Sequence, residues 1–539
     1  MSEQCYPMTV LPHISRLYAD YLAMANAPAD ASVRLWFGSE PMTGGWMGRP
    51  VAVKDPDAVA DALARQSREF GAGARALENI EKLRGGARAV VTGQQVGLFG
   101  GPLLTLLKAA TAVARAKEAS ARTGVEHVPV FWLATEDHDL EEVDQVSLPG
   151  KNTLETIRLG LSSAPVPVGG LSLGGANLEQ ALDQASELLG WAPVSELLRA
   201  CYTPESTLGG AFARFMATLF AEHGLIVMDA AGAEFHGLGQ STLRFAIEQA
   251  AELEQALLAR TKELEADGYH AQVLVAAGHS LLFLLHEETR ERQALRRTAD
   301  GGWKAGGRAY TTAELLEILE KTPDRVSPNA LLRPVFQDTI LPVAAYIGGP
   351  AEIAYFAQSE VVYRAILGRV TPVLPRFSAT LIEPAIAAVM DRHEITLSDL
   401  FTAKTAEALA QRLGARAMPI EGKRKLAAVG NAMDAELTAL TEYLGAMDAS
   451  LGRSATISGN KMRYQMNRLR RMAATFEVQK EASLRKHADA LVLQLFPDGH
   501  PQERVLGGVW FLSRCGEGLV DRLVEEAGLM CVGHTVVRV

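Results

Sequence analysis

Val90-Val91-Thr92 is a β-branched run without polar alternation, the pattern of a strand buried on both faces. Gly93, Gly97, Gly100 and Gly101 interrupt it. Pro102 then stands where a first helical residue needs no N–H, and from Leu103 an apolar, alanine-rich stretch runs as a helix to about Ser120. Glu126 to Ala134 is a second apolar run without alternation, as expected of a parallel strand. Strand, helix and strand make a βαβ unit. Before it, residues 55–70 and 71–83 carry helical spacing, and Arg34-Leu35-Trp36-Phe37 reads as a packing segment. After it, Leu225 to Ala230 is a strand ending in Asp229, and Gln240 to Asp267 is one long amphipathic helix. Ala271 to Val275 and Leu281 to Leu285 flank Gly278-His279-Ser280 as a β-hairpin, with His279 a turn residue. The main sheet resumes from Ser327 to Asp338. Pro342 to Ile347 is then a strand, Gly348-Gly349 a turn and Pro350 a helix start, which repeats the grammar of the first stretch. Thr371 to Arg376 is a further strand.

The pattern changes near residue 384. Leu426, Val429, Met433, Leu437, Leu440, Leu444, Met447 and Leu451 recur in steps of three and four, a heptad seam. Gly452-Arg453-Ser454 breaks it. Met462, Met466, Leu469, Ala473 and Phe476 resume it, which predicts an antiparallel helical hairpin. Its basic face (Lys461, Arg463, Arg468, Arg470, Arg471) reads as a solvated face or as a surface for an anion or partner chain. The chain then returns to the core through Gln502-Glu503-Arg504, a helix near 516–527 and a strand at 535–539. Three regions result: a core over 1–383 with inserted subdomains near 150–224 and 268–326, a helical domain over 384–490, and a C-terminal segment over 491–539.

At 539 residues, with 48% hydrophobic and 22% charged residues, the composition is that of a globular protein with a large core. A net charge of −10 argues against nucleic-acid binding by bulk charge. No apolar run approaches the length of a membrane span, and the segment Met1 to Pro7 lacks the features of a signal peptide. Cys5, Cys201, Cys515 and Cys531 stand far apart with no Cys-x-x-Cys pair, so the expectation is a cytoplasmic protein with reduced thiols and no membrane partner.

Two stretches carry candidate chemistry. The glycine turn is either a tight turn or a cradle whose free N–H groups at the helix start would take a phosphate or carboxylate. It is neither a Walker A loop nor a dinucleotide Gly-x-Gly-x-x-Gly, and Gln94 and Gln95 add donors and acceptors that a plain turn does not need. The second stretch is Glu136-Asp137-His138-Asp139 at the end of the next strand. Its carboxylates and imidazole could supply a general base or hold Mg²⁺, or they could cap the helix that follows and pair with arginines. Arg333 and Arg376 suit a carboxylate or phosphate, or a structural ion pair.

Several of these segments together resemble the bacillithiol biosynthesis cysteine-adding enzymes. They are Thr92-Gly93-Gln94-Gln95-x-Gly97-Leu98-Phe99-x-Gly101-Pro102 with Lys108, Val130-Phe131-Trp132 followed by Glu136 to Asp139, and Arg333-Pro334-x-x-Gln337-Asp338. Tyr346-x-Gly348-Gly349-Pro350-Ala351-Glu352-Ile353-Ala354-Tyr355 and Gln502-Glu503-Arg504 complete the set, with Pro501 where the family more often has leucine. The resemblance implies an α/β fold: a Rossmann-like parallel-sheet core with connecting subdomains and an α-helical antiparallel coiled-coil domain that makes a homodimer. It also implies amide-bond formation between cysteine and glucosaminyl-malate, the last step of bacillithiol synthesis. Carboxylate activation needs a cosubstrate, with ATP the expected one and Mg²⁺ a companion; the metal ligands are left open. The class I synthetase signatures His-x-Gly-His and Lys-Met-Ser-Lys-Ser are absent. On this resemblance His138, Asp137 and Asp139 are the catalytic candidates. Thr92, Gly93, Gln94, Gln95, Gly97, Gly101, Lys108, Glu136, Arg333, Gln337, Asp338, Gly348, Gly349, Glu352, Tyr355 and Arg376 are the binding candidates. Another nucleotide-dependent ligase or transferase, or a coiled-coil scaffold, would be the competing readings.

Overall fold

A computed structural model describes residues 5–25, 31–37, 41–175, 177–190, 192–516, 518–529 and 531–539. Met1 to Gln4, the start of the segment read above as leaderless, lie outside the described residues. The chain divides into two compact units. One comprises Met1–Gly150, Glu155–Thr380 and Glu503–Val537; the other comprises Lys151–Leu154, Leu381–Gln502 and Arg538–Val539.

The first unit is built on a five-stranded sheet of Arg88–Gln94 (β1), His127–Leu133 (β2), Ile226–Asp229 (β3), Val343–Gly348 (β4) and Val373–Pro375 (β5). Its order is β5-β4-β1-β2-β3 and every neighbouring pair is parallel. All residues of β2 and β4 are buried, which is why their sequences lack alternation. Helix α1 (Leu104–Thr123) joins β1 to β2 and is buried along most of its length. Helices α2 (Arg333–Ile340) and α3 (Pro350–Leu367) flank β4 in sequence. The chain leaves β1 toward β2, while β4 lies on its other side. This reversal of strand order opens a crevice at the carboxyl ends of β1 and β4, where α/β sheets take ligands.

Several expectations change. Helix α1 begins at Leu104, and Pro102 instead bridges to Gly507. The Gln240–Asp267 helix is two helices, Gln240–Glu248 and Ala250–Ala266, that meet at Gln249. Residues 271–275 form no strand, and the hairpin pairs His279–Leu285 with Arg292–Arg297. Val326–Pro328 does not rejoin the parallel sheet. It closes an antiparallel sheet with the strands between 279 and 310, and Pro334 then opens α2, where the missing N–H of proline is harmless.

The reduced-thiol expectation is also corrected. Cys5 and Cys531 form a disulfide with a Cα–Cα distance of 5.9 Å. Strand Cys5–Tyr6 pairs antiparallel with His534–Arg538, so residues 526 apart in sequence meet through a strand pairing that cysteine spacing does not reveal. Cys201 and Cys515 are not joined in a disulfide.

The second unit is helical. Ile420–Met447 (α4) and Ala449–Lys480 (α5) form the hairpin. It turns at Asp448, not at Gly452 to Ser454: the Asp448 carboxylate accepts from the Ser450 and Leu451 N–H groups and caps α5. Gly452 lies inside α5, where a Cβ would come within 2.7 Å of the Gly445 Cα. The helices thus meet through glycines, and Val429, Leu440, Met447 and Leu451 of the predicted seam are exposed.

Candidate active site

The crevice holds a cleft of about 340 Å³. Gly93, Gln94 and Gln95 come from the end of β1, Asp137 from the segment after β2, and Gly349, Glu352 and Tyr355 from the start of α3. Lys108, Arg333, Arg376 and Arg504 make the lining cationic. Lys108 lies one turn into α1 and points back under β1. Its ammonium donates to Gly93 O (2.7 Å) and Gln94 Oε1 (2.9 Å) and pairs with Glu352. Glu352 also accepts from Tyr346 OH (2.6 Å) and from Gly349 N–H at the helix start (2.7 Å). Burial pushes the Glu352 carboxyl upward, but Lys108 and these donors hold it below the usual carboxylate range. Burial also lowers Lys108, against the pull of Glu352.

The arginines differ in their partners. Arg376 makes a two-pronged pair with Glu503 that is fully buried, with Nη1 3.0 Å from Oε2. Arg333 has only neutral partners: Nη1 donates to Gln337 Oε1 (3.0 Å), Nη2 donates to Tyr355 OH (3.0 Å), and the guanidinium lies 5.1 Å from the Tyr346 ring centroid. Among the described residues no carboxylate forms an ion pair with Arg333 or with the exposed Arg504. A half-buried guanidinium that faces a cleft with no carboxylate in ion-pair contact can take an anion. Asp137 is held in the cleft wall by Gln95 Nε2 (3.0 Å) and by the His138 N–H (2.8 Å).

The sequence matches the model of the bacillithiol biosynthesis BshC N-terminal Rossmann-like domain over residues 14–377 and that of the BshC C-terminal coiled-coil domain over 379–539. The chain belongs to the BshC family. It is 42% identical over 542 residues to a protein of Koribacter versatilis named "Putative cysteine ligase BshC", with both chains covered in full. Proteins of the same name from Solibacter usitatus and Salinibacter ruber are 35% and 32% identical, each aligned over at least 98% of both chains. No helix among the described residues is long and apolar enough to cross a membrane.

In this BshC chain the remaining candidates lie outside the cleft. Thr92 is buried and donates to Ile347 O, tying β1 to β4. In the glycine turn Gly97, Gly100 and Gly101 pack against protein, while Gly93, Gln94 and Gln95 at its start line the cleft. Gly100 has φ +86° and a Cβ there would come within 2.5 Å of Phe215, while Gly97 rests on Gly101. At the α1 start the Leu103 N–H donates to Leu506 O and the Thr105 N–H to Pro102 O, while the Gly101 carbonyl accepts from Gly508 N–H. Gly348 packs against Val373 and Glu352. His138 is half-exposed, 3.4 Å from Arg292 Nη1, and Asp139 precedes a short helix without capping it. Glu136 turns to a neighbouring cavity of about 510 Å³, where it pairs with the buried His236 at 2.8 Å; Asp229 also lines that cavity. Gln337 and Asp338 stand behind Arg333.

Trp132, Tyr346 and Arg504 are among the lining residues that were absent from the sequence candidates. Each lay in a quoted motif. The signal for Tyr346 was a hydroxyl in an otherwise apolar buried strand, a group that needs a partner there. Among the described residues no group of three or more His, Cys, Asp or Glu side chains stands ready to hold a metal.

Proposed function

We propose that this chain is a cysteine ligase that joins the carboxyl group of L-cysteine to the amine of glucosaminyl-malate, the last step of bacillithiol synthesis, with ATP as the activating cosubstrate. The observation that carries this reading is the cationic cleft at the strand ends, with Arg333 half-buried and lacking a carboxylate in ion-pair contact. Family membership supports the reaction class. The cysteine carboxylate attacks the α-phosphorus of ATP and expels pyrophosphate to give an acyl-adenylate, or attacks the γ-phosphorus and expels ADP to give an acyl-phosphate. The acceptor amine then attacks the acyl carbon and expels AMP or phosphate. Arg333 and Arg504 hold the anionic groups, Lys108 and Glu352 fix the cleft floor, and Asp137 is the carboxylate placed to accept the amine proton. Mg²⁺ would arrive on the triphosphate rather than on a resident protein site. We place the reaction in the cytoplasm.

The exposed Val429, Leu440 and Met447 stripe of the helical hairpin supports a homodimer formed through that hairpin. The test of the reaction is incubation of purified protein with cysteine, glucosaminyl-malate, ATP and Mg²⁺, with products read by mass spectrometry. Bacillithiol with AMP supports adenylation, and bacillithiol with ADP supports an acyl-phosphate. Unchanged glucosaminyl-malate in a deletion strain that still makes bacillithiol would sink the assignment and favour a different acceptor or transferase reaction.

A further inference from the structure

Gln337-Asp338 stands out in the sequence, yet neither side chain lines the cleft; both are buried behind it. The Gln337 amide has two neighbours of fixed character. Arg333 offers only donors, so the oxygen of Gln337 must face it. Asp338, when ionised, offers only acceptors, so the nitrogen of Gln337 must face it, and Nε2 lies 3.2 Å from Oδ1. The hydrogen-bond chemistry therefore sets the amide orientation without recourse to which atom was drawn where. The second oxygen of Asp338 accepts from Thr371 Oγ1 and from Tyr363 OH (3.2 Å). Arg369 Nη1 lies 3.7 Å from it, and Arg49 adds positive charge nearby.

We propose that Asp338 is a positioning residue for the anion site: its carboxylate orients Gln337, and Gln337 in turn holds the guanidinium of Arg333 toward a carboxylate or phosphate in the cleft without neutralising it. This rests on the reading of Arg333 as the anion anchor. The choice of a neutral amide is the point. A carboxylate at 337 would grip Arg333 more firmly but cancel the charge that the ligand needs. An amide grips and leaves the charge free. Its weakness is that it can rotate, and Asp338 removes that freedom. Burial pushes the Asp338 carboxyl up to about 6. Below that pH a protonated Asp338 can donate, the constraint on Gln337 is released, and Arg333 loses a defined acceptor.

The test is isothermal titration of the full-length protein with malate and, separately, with ATP, from pH 5.5 to 7.5, for the wild type and for Asp338→Asn and Gln337→Glu. The two ligands distinguish a carboxylate from a phosphate at Arg333. The expected result is binding of at least one ligand to the wild type, weakening on acidification with a midpoint near pH 6. In Asp338→Asn this protein-dependent component disappears, while any titration of the ligand itself remains common to both proteins. Gln337→Glu is expected to weaken binding about tenfold or more at pH 7.5, because the new carboxylate pairs with Arg333. Circular dichroism and the unfolding midpoint establish that each variant is folded. The proposal is overturned if neither ligand binds the wild type, if the acid weakening persists in Asp338→Asn, or if folded Gln337→Glu binds like the wild type. These readouts are binding constants, so they stand apart from turnover. Absence of bacillithiol in the ligase assay would sink the proposed reaction and leave the anion site intact.

Discussion

Glu503 is the residue on which the wall of the cleft depends, and Glu503→Gln should destabilise the first unit out of proportion to the two atoms it changes. In the wild type the carboxylate accepts from Arg376 Nη1 and Nη2, from Ser378 Oγ (3.0 and 3.1 Å) and from Ala379 N–H (2.9 Å). Every one of these partners is a donor. Burial alone would raise the Glu503 carboxyl, but Arg376 and the other donors hold it below the ordinary value. Its contribution is therefore present above the unfolded glutamate pKa and is lost as pH falls through the folded one. Glutamine replaces one acceptor oxygen by an NH₂ that must point at a donor, and it leaves the Arg376 guanidinium buried without a counter-charge. Removing one member of a buried pair costs about 3–5 kcal/mol. A domain of about 150–250 residues loses roughly 2–4 °C of Tm per kcal/mol, and a larger unit loses less, so a fall of about 5 °C is expected at neutral pH. Differential scanning calorimetry from pH 4 to 8 measures it, and the difference from wild type should narrow toward the acid end. The control is the double substitution Arg376→Met with Glu503→Leu. Buried pairs and apolar replacements of similar volume come out near even, so the double variant should recover most of the lost Tm. If it is as unstable as Glu503→Gln alone, the orphaned charge is not the cause and the reasoning fails.

Three further outcomes are expected. Burial lowers His236, but the Glu136 carboxylate outweighs it and raises the folded pKa above the ordinary 6.5; this stabilisation is therefore full below that pH and is lost as pH rises through the folded value. The Tm gap between wild type and His236→Gln should accordingly shrink from pH 6 to pH 9, and a constant gap would show that the charge plays no part. Reduction of Cys5–Cys531 with dithiothreitol should lower the unfolding midpoint of the wild type and leave that of a Cys5→Ser, Cys531→Ser double variant unmoved; equal response of both would place the effect at another thiol. In the helical unit, Gly452→Val should pry α4 and α5 apart where a Cβ would come within 2.7 Å of Gly445, seen as lost helicity and an earlier helical unfolding step, whereas Gly422→Ala, on an open part of α4 with no neighbour closer than 3.3 Å, should change neither.

Much of the parallel sheet was legible because strands buried on both faces have a distinctive sequence. Val90 to Thr92, His127 to Leu133 and Val343 to Ile347 lack polar alternation and are rich in β-branched and aromatic residues, as strands covered on both faces are. The Ser327 to Asp338 stretch misled for the opposite reason. Its apolar residues fill three strand positions and then a helix, and a short apolar run does not distinguish the two. The heptad pattern found the helical hairpin but not its interior. The closest helix contact is made by glycines, which hydrophobic spacing ignores; of the predicted seam Met466 is buried and Leu426, Met433, Leu437 and Leu444 are half-buried, while Val429, Leu440, Met447 and Leu451 face outward. Around the cleft, the sequence indicated charged and amide residues at strand ends. It could not say which way each side chain turns, so Glu136 and Asp137, adjacent in sequence, face two different cavities.

The two glycine-proline turns show why local grammar did not decide the chemistry. Gly348-Gly349-Pro350 and Gly100-Gly101-Pro102 have the same letters after a parallel strand, and both precede long helices. At α3 the helix start opens on the cleft, and the Gly349 N–H is held by Glu352, whose other oxygen meets Tyr346. At α1 the Leu103 N–H donates to the backbone oxygen of Leu506, the Gly101 carbonyl accepts from the Gly508 N–H, and Phe215 fills the space beside Gly100. A helix start offers an anion site only while its N–H groups lack protein partners. The partners at α1 come from a segment some four hundred residues later in the chain, which no local pattern around Gly93 to Pro102 encodes. What α1 contributes to the cleft instead is Lys108, one turn in, which Glu352 and the Gly93 carbonyl hold at the carbonyl end of β1 while burial works against its charge. The cleft's capacity for an anion therefore rests on side chains, above all on the half-buried Arg333, whose hydrogen-bond partners Gln337 and Tyr355 are both uncharged.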